Sequence, residues 1–334
     1  MVGGISSAKA SESPVITVVI TVYKRTNYLC EALQSVLAQS YRSFEIVVTD
    51  DSCSDAVKGI VNQFNSPLIR YRGNPSTLGV ALNLRAAVKE ARGRYVAILN
   101  DDDVWEPDFL AELVTPLEQN KNISLAFSDH WIISGKGELD VKATDENTAR
   151  YRNQLPSGVI TNPTALVLEK NGVPLAMASL IRKDTIDWDL LVSHVSGAYD
   201  FWISCLLAAT GRPFYFVPKR LTRYRVHDAM ETARRAPDKN TNMAYIYAQL
   251  LEMNHFDGRE EFLKSRLAQA LFQVGKDNLY FNNLGSARGC FARSMKAKPS
   301  LKVFLALLLS YSPHQVRSWL RLSSNNDFPS SPTC

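Results

Sequence analysis

Three consecutive carboxylates, Asp101-Asp102-Asp103, follow the apolar run Tyr95 to Leu99. Adjacent carboxylates at the end of a buried strand can hold a hard divalent cation, and Mg²⁺ typically takes one or two of them while substrate phosphates fill other positions. A diphosphate ligand suits that chemistry. The plainer reading is an acidic, solvated turn whose Asp residues cap the helix after Pro107. A second acidic group, Asp50, Asp51 and Asp55, follows Phe44 to Thr49, and the aromatic-basic turn Tyr23-Lys24-Arg25 follows Val15 to Val22.

The elements that carry these groups are legible from periodicity. Val15 to Val22 is nearly continuously apolar, as in a strand buried on both faces of a parallel sheet. Thr26-Asn27 reads as a cap leading a helix with Leu29, Ala32, Leu33, Val36 and Leu37 on one face. Strands at Phe44 to Thr49, Leu68 to Tyr71 and Tyr95 to Leu99 alternate with helices at Ala56 to Phe64 and Val80 to Ala91, and Glu106-Pro107 opens a further helix. Such alternation predicts a doubly wound, mostly parallel sheet, with ligands beyond the carboxyl ends of its strands. Both acidic clusters and the aromatic-basic turn then converge on one edge, where repulsion is costly unless a cation or hydrogen-bond donors offset it.

With 334 residues, 46% of them apolar, the chain can bury one large core and carry an appendage. Lys and Arg exceed Asp and Glu by 38 to 33, a surplus of five that is too small and dispersed to predict a nucleic-acid partner. The longest apolar run, Val303 to Leu309, is well short of the ~20 residues a membrane-crossing helix needs. Met1 to Ser13 lacks the apolar centre of a signal peptide. Cys30, Cys53, Cys205, Cys290 and Cys334 form no C-x-x-C pair, so neither a disulfide framework nor a zinc site is expected. A cytoplasmic setting is the expectation, with the inner face of the membrane as a peripheral variant.

Taken together, Val18 to Arg25, Phe44 to Asp55, Gly79 to Gly93 and Ala97 to Asp103 resemble, in order and spacing, the nucleotide-sugar-binding half of glycosyltransferase family 2. The resemblance covers about residues 14 to 230. It implies an α/β GT-A fold (Rossmann-like, doubly wound), a nucleotide-sugar donor, a divalent metal (Mn²⁺ or Mg²⁺) and inversion at the anomeric carbon. Carried over by position, Thr21 and Tyr23 line the base pocket together with Arg25, and Asp51 or Asp50 accepts a hydrogen bond from the base, commonly uracil. Asp101 approaches the ribose, and Asp102 coordinates the metal with Asp103, while His227 is either a further metal ligand or a group that steadies the leaving diphosphate. The family's Asp-x-Asp-Asp pattern reads here Asn100-Asp101-Asp102-Asp103, with an amide first. Which of Asn83 and Arg85 touches the nucleotide stays open.

Inverting transfer also needs a base for the acceptor hydroxyl. Asp200 in Gly197-Ala198-Tyr199-Asp200-Phe201-Trp202 looks like the family's base, with Asp187 and Asp189 as competing carboxylates. Trp105, Tyr199 and Trp202 are the expected acceptor-stacking aromatics. Tyr224-Arg225-Val226-His227 resembles the family's Tyr-Arg-x-His segment, and the run Lys219, Arg220, Arg223, Arg225 reads either as a solvated strand face or as a grip on diphosphate. The implied partners are a nucleotide-sugar donor and a glycan or glycan-linked acceptor. The competing functions are a nucleotidyltransferase, which the missing glycine-rich loop after the first strand disfavours, and a non-catalytic binding protein using the C-terminal helices.

The expected organisation is a flexible segment 1–13, a catalytic domain 14–230 with a donor half 14–103 and an acceptor half 104–230, an all-α subdomain 241–322 and a flexible tail 323–334. Within the helical part, Gly275, Ala287, Phe291 and Pro299 fall at offsets resembling one tetratricopeptide-type helix pair, a capping subdomain being the plainer reading. Leu301 to Leu309, followed by Arg317, Trp319 and Arg321, suits either a membrane surface or packing on the preceding helices or on a second subunit of a homo-oligomer.

Overall fold

The computed structural model describes residues 14–227 and 238–312. The segments 1–13 and 323–334, and the basic-aromatic stretch with Arg317, Trp319 and Arg321, lie outside the described residues. The first half contains β1 (Ile16–Val22), α1 (Leu29–Leu37), β2 (Phe44–Asp50), α2 (Ala56–Gln63), β3 (Ile69–Gly73), α3 (Val80–Lys89) and β4 (Tyr95–Asn100). Next come β5 (Val104–Trp105), α4 (Phe109–Gln119), β6 (Leu125–Ser134), α5 (Val141–Tyr151), β7 (Gly158–Ile160), α6 (Thr164–Leu168) and α7 (Leu175–Ala178). The chain continues through β8 (Ser179–Arg182), α8 (Tyr199–Ala209), β9 (Phe214–Val226), α9 (Asp238–Met253), α10 (Glu260–Tyr280), α11 (Leu284–Ala297) and α12 (Leu301–Leu309).

Among the described residues the strands form one sheet in the order β3-β2-β1-β4-β8-β6-β9-β5, with β7 also on β9. Strands β1 to β4 are mutually parallel, β8 runs antiparallel between β4 and β6, and β6 and β9 are parallel. The central strands are apolar throughout because both faces are covered. Val18, Ile20, Ile46, Val48 and Leu99 pack with Leu33 of α1, Val57 of α2 and Leu113 of α4, while Val19, Val47 and Ile98 pack with Leu84 of α3 and Ile203 of α8.

Two helix starts differ from expectation. Helix α1 begins at Leu29 without a side-chain cap, so Thr26-Asn27 do not cap it, and the preceding loop runs on to carry Arg25. Helix α4 begins at Phe109, leaving Pro107 outside it. The amide of Leu110 is taken by Oε1 of the buried Gln39 at 2.9 Å, so a residue of the neighbouring segment does the capping. The long β6–β9 ladder was hidden in the sequence because its alternation breaks at a bulge around Ser128, Asp129 and His130, where Asp129 is buried against Arg152 at 2.7 Å.

The helices after β9 are not a separate core. Ile246 and Leu250 of α9 and Leu263 and Leu271 of α10 join the layer formed by α3 and α8. A smaller cluster of Phe272, Ala287, Phe291 and Val303 holds α11 and α12 on α10. Here α10 and α11 approach closely because position 275 has no side chain: a Cβ there would lie 2.4 Å from Cε1 of the fully buried Phe291. No helix among the described residues is long and apolar enough to cross a membrane. Gly275→Ala is expected to lower stability by about 1–3 kcal/mol through overpacking. Gly289→Ala, in α11 with open space around it, gains up to about 1 kcal/mol, and urea unfolding midpoints of the two variants check the contrast.

Candidate active site

The parallel strands deliver their loops to one edge. At the end of β2, Asp50 accepts hydrogen bonds from the Tyr71 hydroxyl at 2.9 Å and the Ser52 amide at 2.8 Å. It lines an open pocket of about 370 Å³ together with Cys53, Asp55, Tyr71, Gly73 and Asn74. The same contact pushes the Tyr71 phenol up to about 12, burial first and the Asp50 carboxylate second. Asp51 has a different task. Its buried carboxylate takes the amides of Leu78 and Gly79 and the side-chain amide of Asn74, each at 2.8 Å, and thereby anchors the turn into α3. Gly79 sits at φ 83°, a conformation that other residues adopt only with strain.

Asn83 is buried too, donating to the Thr49 carbonyl at 3.1 Å and accepting from Asn74 and Thr49. Arg85 reaches the Asp189 carbonyl at 3.4 Å. Neither residue lines the pocket at the end of β2, where Tyr71 and Asn74 stand beside Asp50. The rule that ligands sit beyond strand ends, applied to β3 as well, would have found both.

At the end of β4 the three carboxylates part company. Asp103 is fully buried and turned inward, accepting the Arg225 amide and the Asn100 side-chain amide at 2.9 Å each. Burial, reinforced by neighbouring Asp102, holds its carboxyl well above the usual range. That corrects the expectation of Asp103 as a metal ligand, because both of its oxygens are spent on fixing the turn. Asp102 lies 3.1 Å from His227 Nε2 and 2.7 Å from an Arg25 nitrogen. Asp101 meets Arg25 at 2.5 Å, but its Oδ2 is buried without a hydrogen-bond partner. Burial outweighs that ion pair and pushes the Asp101 carboxyl up to about 7. Although burial opposes the Arg25 charge, the carboxylates around it hold its guanidinium above the ordinary value.

This turn fits a divalent cation. It concentrates negative charge, leaves a buried carboxylate oxygen unsatisfied and sets an imidazole beside Asp102. No group of three or more His, Cys, Asp or Glu side chains suited to a metal occurs among the described residues, so Asp102 and His227 would leave the remaining positions to phosphate oxygens and water.

Asp200, second residue of α8, is exposed to solvent and accepts the Phe201 amide at 2.7 Å. Desolvation by the surrounding protein raises its carboxyl above the ordinary value, opposed in part by that hydrogen bond and limited by the solvent access of its exposed side. The alternatives are committed elsewhere: Asp187 caps the Asp189 amide at 2.9 Å, and Asp189 pairs with Lys89 on the surface. Tyr199 is buried with its hydroxyl 3.3 Å from Asn100 Oδ1. The two expected acceptor-stacking tryptophans are core residues. The indole of Trp105 donates to the Met177 carbonyl at 2.7 Å and that of Trp202 to the Leu190 carbonyl at 2.8 Å, both rings being buried.

At the end of β1, Thr21 is buried and Tyr23 is exposed with Lys24 over its ring at 5.0 Å. The basic run is not a free cationic grip. Lys219 pairs with Glu112 and Arg223 with Glu106 at 2.7 Å, and Arg220 pairs with Asp145 at 2.6 Å. Arg225 is buried, donates to the Asp102 carbonyl at 2.8 Å and pairs with Glu31 at 2.6 Å.

The family profile named "Glycosyl transferase family 2" matches residues 17–163, the stretch that holds β1 to β4 and the acidic turn. Over that stretch the chain is similar to glycosyltransferase family 2. Among sequence relatives, an uncharacterised glycosyltransferase of Rickettsia typhi is 27% identical over 226 residues, covering 66% of each chain. The Escherichia coli UDP-Glc:α-D-GlcNAc-diphosphoundecaprenol β-1,3-glucosyltransferase WfgD is 29% identical over 120 residues, 36% of this chain and 47% of that protein. The GT-A architecture is shared with Staphylococcus aureus TarS solved with UDP-GlcNAc, at a TM-score of 0.63 and 15% identity over 94% of this chain and 93% of that one. A Pyrobaculum calidifontis mannosyltransferase solved with GDP-Man and Mn²⁺ follows at 0.53 and 16%, over 94% and 85%.

The two aspartates at the end of β2 are expected to separate in their effects. Asp51→Ala leaves two backbone amides and Asn74 without their acceptor and costs about 2–4 kcal/mol in urea unfolding without any ligand. Asp50 lines an open pocket instead of holding a turn, and Asp50→Asn stays within about 1 kcal/mol of the parent in the same measurement.

Proposed function

We propose that this chain moves a sugar, with inversion, from a UDP-sugar donor to a hydroxyl of a glycan or glycan-linked acceptor. The observation that carries the reading is the tie between the acidic turn and α8. The Tyr199 hydroxyl, 3.3 Å from Asn100, holds the start of α8, and with it Asp200, against the strand end that bears Asp102. A carboxylate beside an imidazole on one element and an exposed carboxylate of raised basicity on the other are the two groups inverting transfer requires. The name of the E. coli relative, which specifies UDP-glucose and a diphosphoundecaprenol-linked acceptor, supports the donor and acceptor classes.

In this reading the nucleobase enters the pocket lined by Asp50, Tyr71 and Asn74, with Thr21 and Tyr23 on the adjacent strand end. Arg25 offers its guanidinium to phosphate oxygens. Asp102 and His227 hold Mn²⁺ or Mg²⁺, which when bound supplies positive charge to the departing diphosphate. Asp200 accepts the proton of the acceptor hydroxyl while that oxygen bonds to the anomeric carbon and the bond from that carbon to the diphosphate breaks on the opposite face. A protonated Asp200 cannot do this, so kcat/KM falls as pH drops through its raised pKa.

A screen of nucleotide sugars for metal-dependent nucleotide release tests the assignment. Asp200→Asn is expected to lower turnover by about 10²-fold or more, to lose the acid limb of the pH profile and to keep UDP·Mn²⁺ binding by calorimetry. Asp102→Asn loses both binding and turnover. Metal-dependent UDP binding that survives Asp102→Asn, or turnover that survives Asp200→Asn, overturns the roles given to these residues.

A further inference from the structure

Helix α12 is apolar on both of its sides. Val303 and Ser310 turn inward to the helices before it, while Leu301, Phe304, Leu305 and Leu308, spaced i, i+3, i+4 and i+7, form a stripe on the opposite face. These side chains are 73%, 44%, 56% and 52% exposed, and Tyr311 continues the stripe at 65%. Large side chains exposed contiguously in this way mark a docking surface rather than ordinary surface variation. Cations edge the stripe. Lys302 is exposed next to it, and the Arg288 guanidinium lies 4.0 Å over the Tyr311 ring.

The charge around the stripe selects its occupant. Residues 276–334 contain eight Lys and Arg against two Asp and Glu, whereas the 275 residues before them carry a net charge of −1. The surplus of cations in the chain therefore resides entirely in its last helices and the sequence that follows. A second copy docked on itself through this face would set like charges against one another. The following segment of the same chain adds Arg317 and Arg321 against Asp327, again of the same sign. An anionic lipid surface complements both the apolar stripe and the basic rim. Nine residues at ~1.5 Å rise give a helix about 14 Å long, fit to lie in the interface and far too short to span it. We propose that the outward face of α12, with its Lys and Arg rim, docks this chain on an anionic membrane surface.

The test is flotation of the full chain with phosphatidylcholine vesicles and with vesicles that also contain phosphatidylglycerol. Binding is expected to the anionic vesicles, to fall by about tenfold or more on neutral ones and to weaken as salt rises. A Leu305→Glu, Leu308→Glu double variant is expected to lose binding by about tenfold or more, and a Lys296→Glu, Lys302→Glu variant to lose binding and most of its salt dependence. All four side chains are exposed and distant in sequence from the cleft residues, so unchanged unfolding midpoints and unchanged UDP binding show that the variants are folded. Equal binding to both vesicle types, or full binding by the leucine variant, overturns the proposal. So does an absence of vesicle binding, whether the chain is monomeric or is a dimer that the leucine substitutions dissociate, the latter assigning the face to a second copy.

Discussion

The carboxyl edge of the sheet is organised by one electrostatic constraint, the burial of Asp101, Asp102 and Asp103 on consecutive residues. Three negative charges in such a setting repel one another and lose their hydration, and a fold tolerates them only by neutralisation or by pairing. Both devices are present. Asp103, farthest from solvent, is driven toward its neutral form by burial and held by amide donors. Asp101 and Asp102 are bridged by a single guanidinium, that of Arg25. Reaching that position shapes the β1–α1 loop: Lys24 adopts φ 58° and helix α1 starts only at Leu29.

The same constraint draws in residues far away in the chain. Arg225, at the end of β9, touches the Asp102 carbonyl, the Asp103 carboxyl and Glu31 of α1, and its guanidinium lies 4.5 Å over the Tyr28 ring. Two positions on, His227 meets Asp102, and its ring lies tilted at 49° to that of the same tyrosine with centroids 5.1 Å apart. A buried arginine needs several acceptors to offset its desolvation, and this one finds them only where β4, α1 and β9 meet. The last strand is thereby fixed to the first half of the fold, and the Tyr199–Asn100 contact fixes α8 to the same turn. Strand β4, helices α1 and α8 and strand β9 therefore meet at one junction.

The periodicity of the first hundred residues made β1 to β4 and the helices between them legible, since fully covered parallel strands read as unbroken apolar runs. The places of Asp102 after β4 and of Asp200 at the start of α8 were legible because each stands at an element boundary in a motif. What sequence concealed was the direction in which polar side chains point. Asp50 and Asp51 are adjacent and chemically identical, yet one lines a pocket and the other captures two backbone amides. Trp105 and Trp202 stand in the expected segments but use their N–H groups on core carbonyls, as buried indoles must. The basic run from Lys219 to Arg225 alternates along a strand, and its acidic partners come from Glu112, Asp145, Glu106 and Glu31, which no local pattern could join to it.

Net charge misled for a related reason, because it averages over parts with opposite tasks. The surplus of five cations is the sum of a slightly anionic first 275 residues and a strongly cationic C-terminal stretch. Screening limits such effects to about 8–10 Å at physiological salt, so near a charged surface the two parts respond independently. An anionic surface attracts the last helices and repels the acidic edge of the sheet. The acidic edge therefore gains nothing from non-specific attraction to such a surface, and the guanidinium paired with its carboxylates is that of Arg25. Segregating the charges lets one short chain carry an acidic strand edge and a basic C-terminal stretch without either neutralising the other.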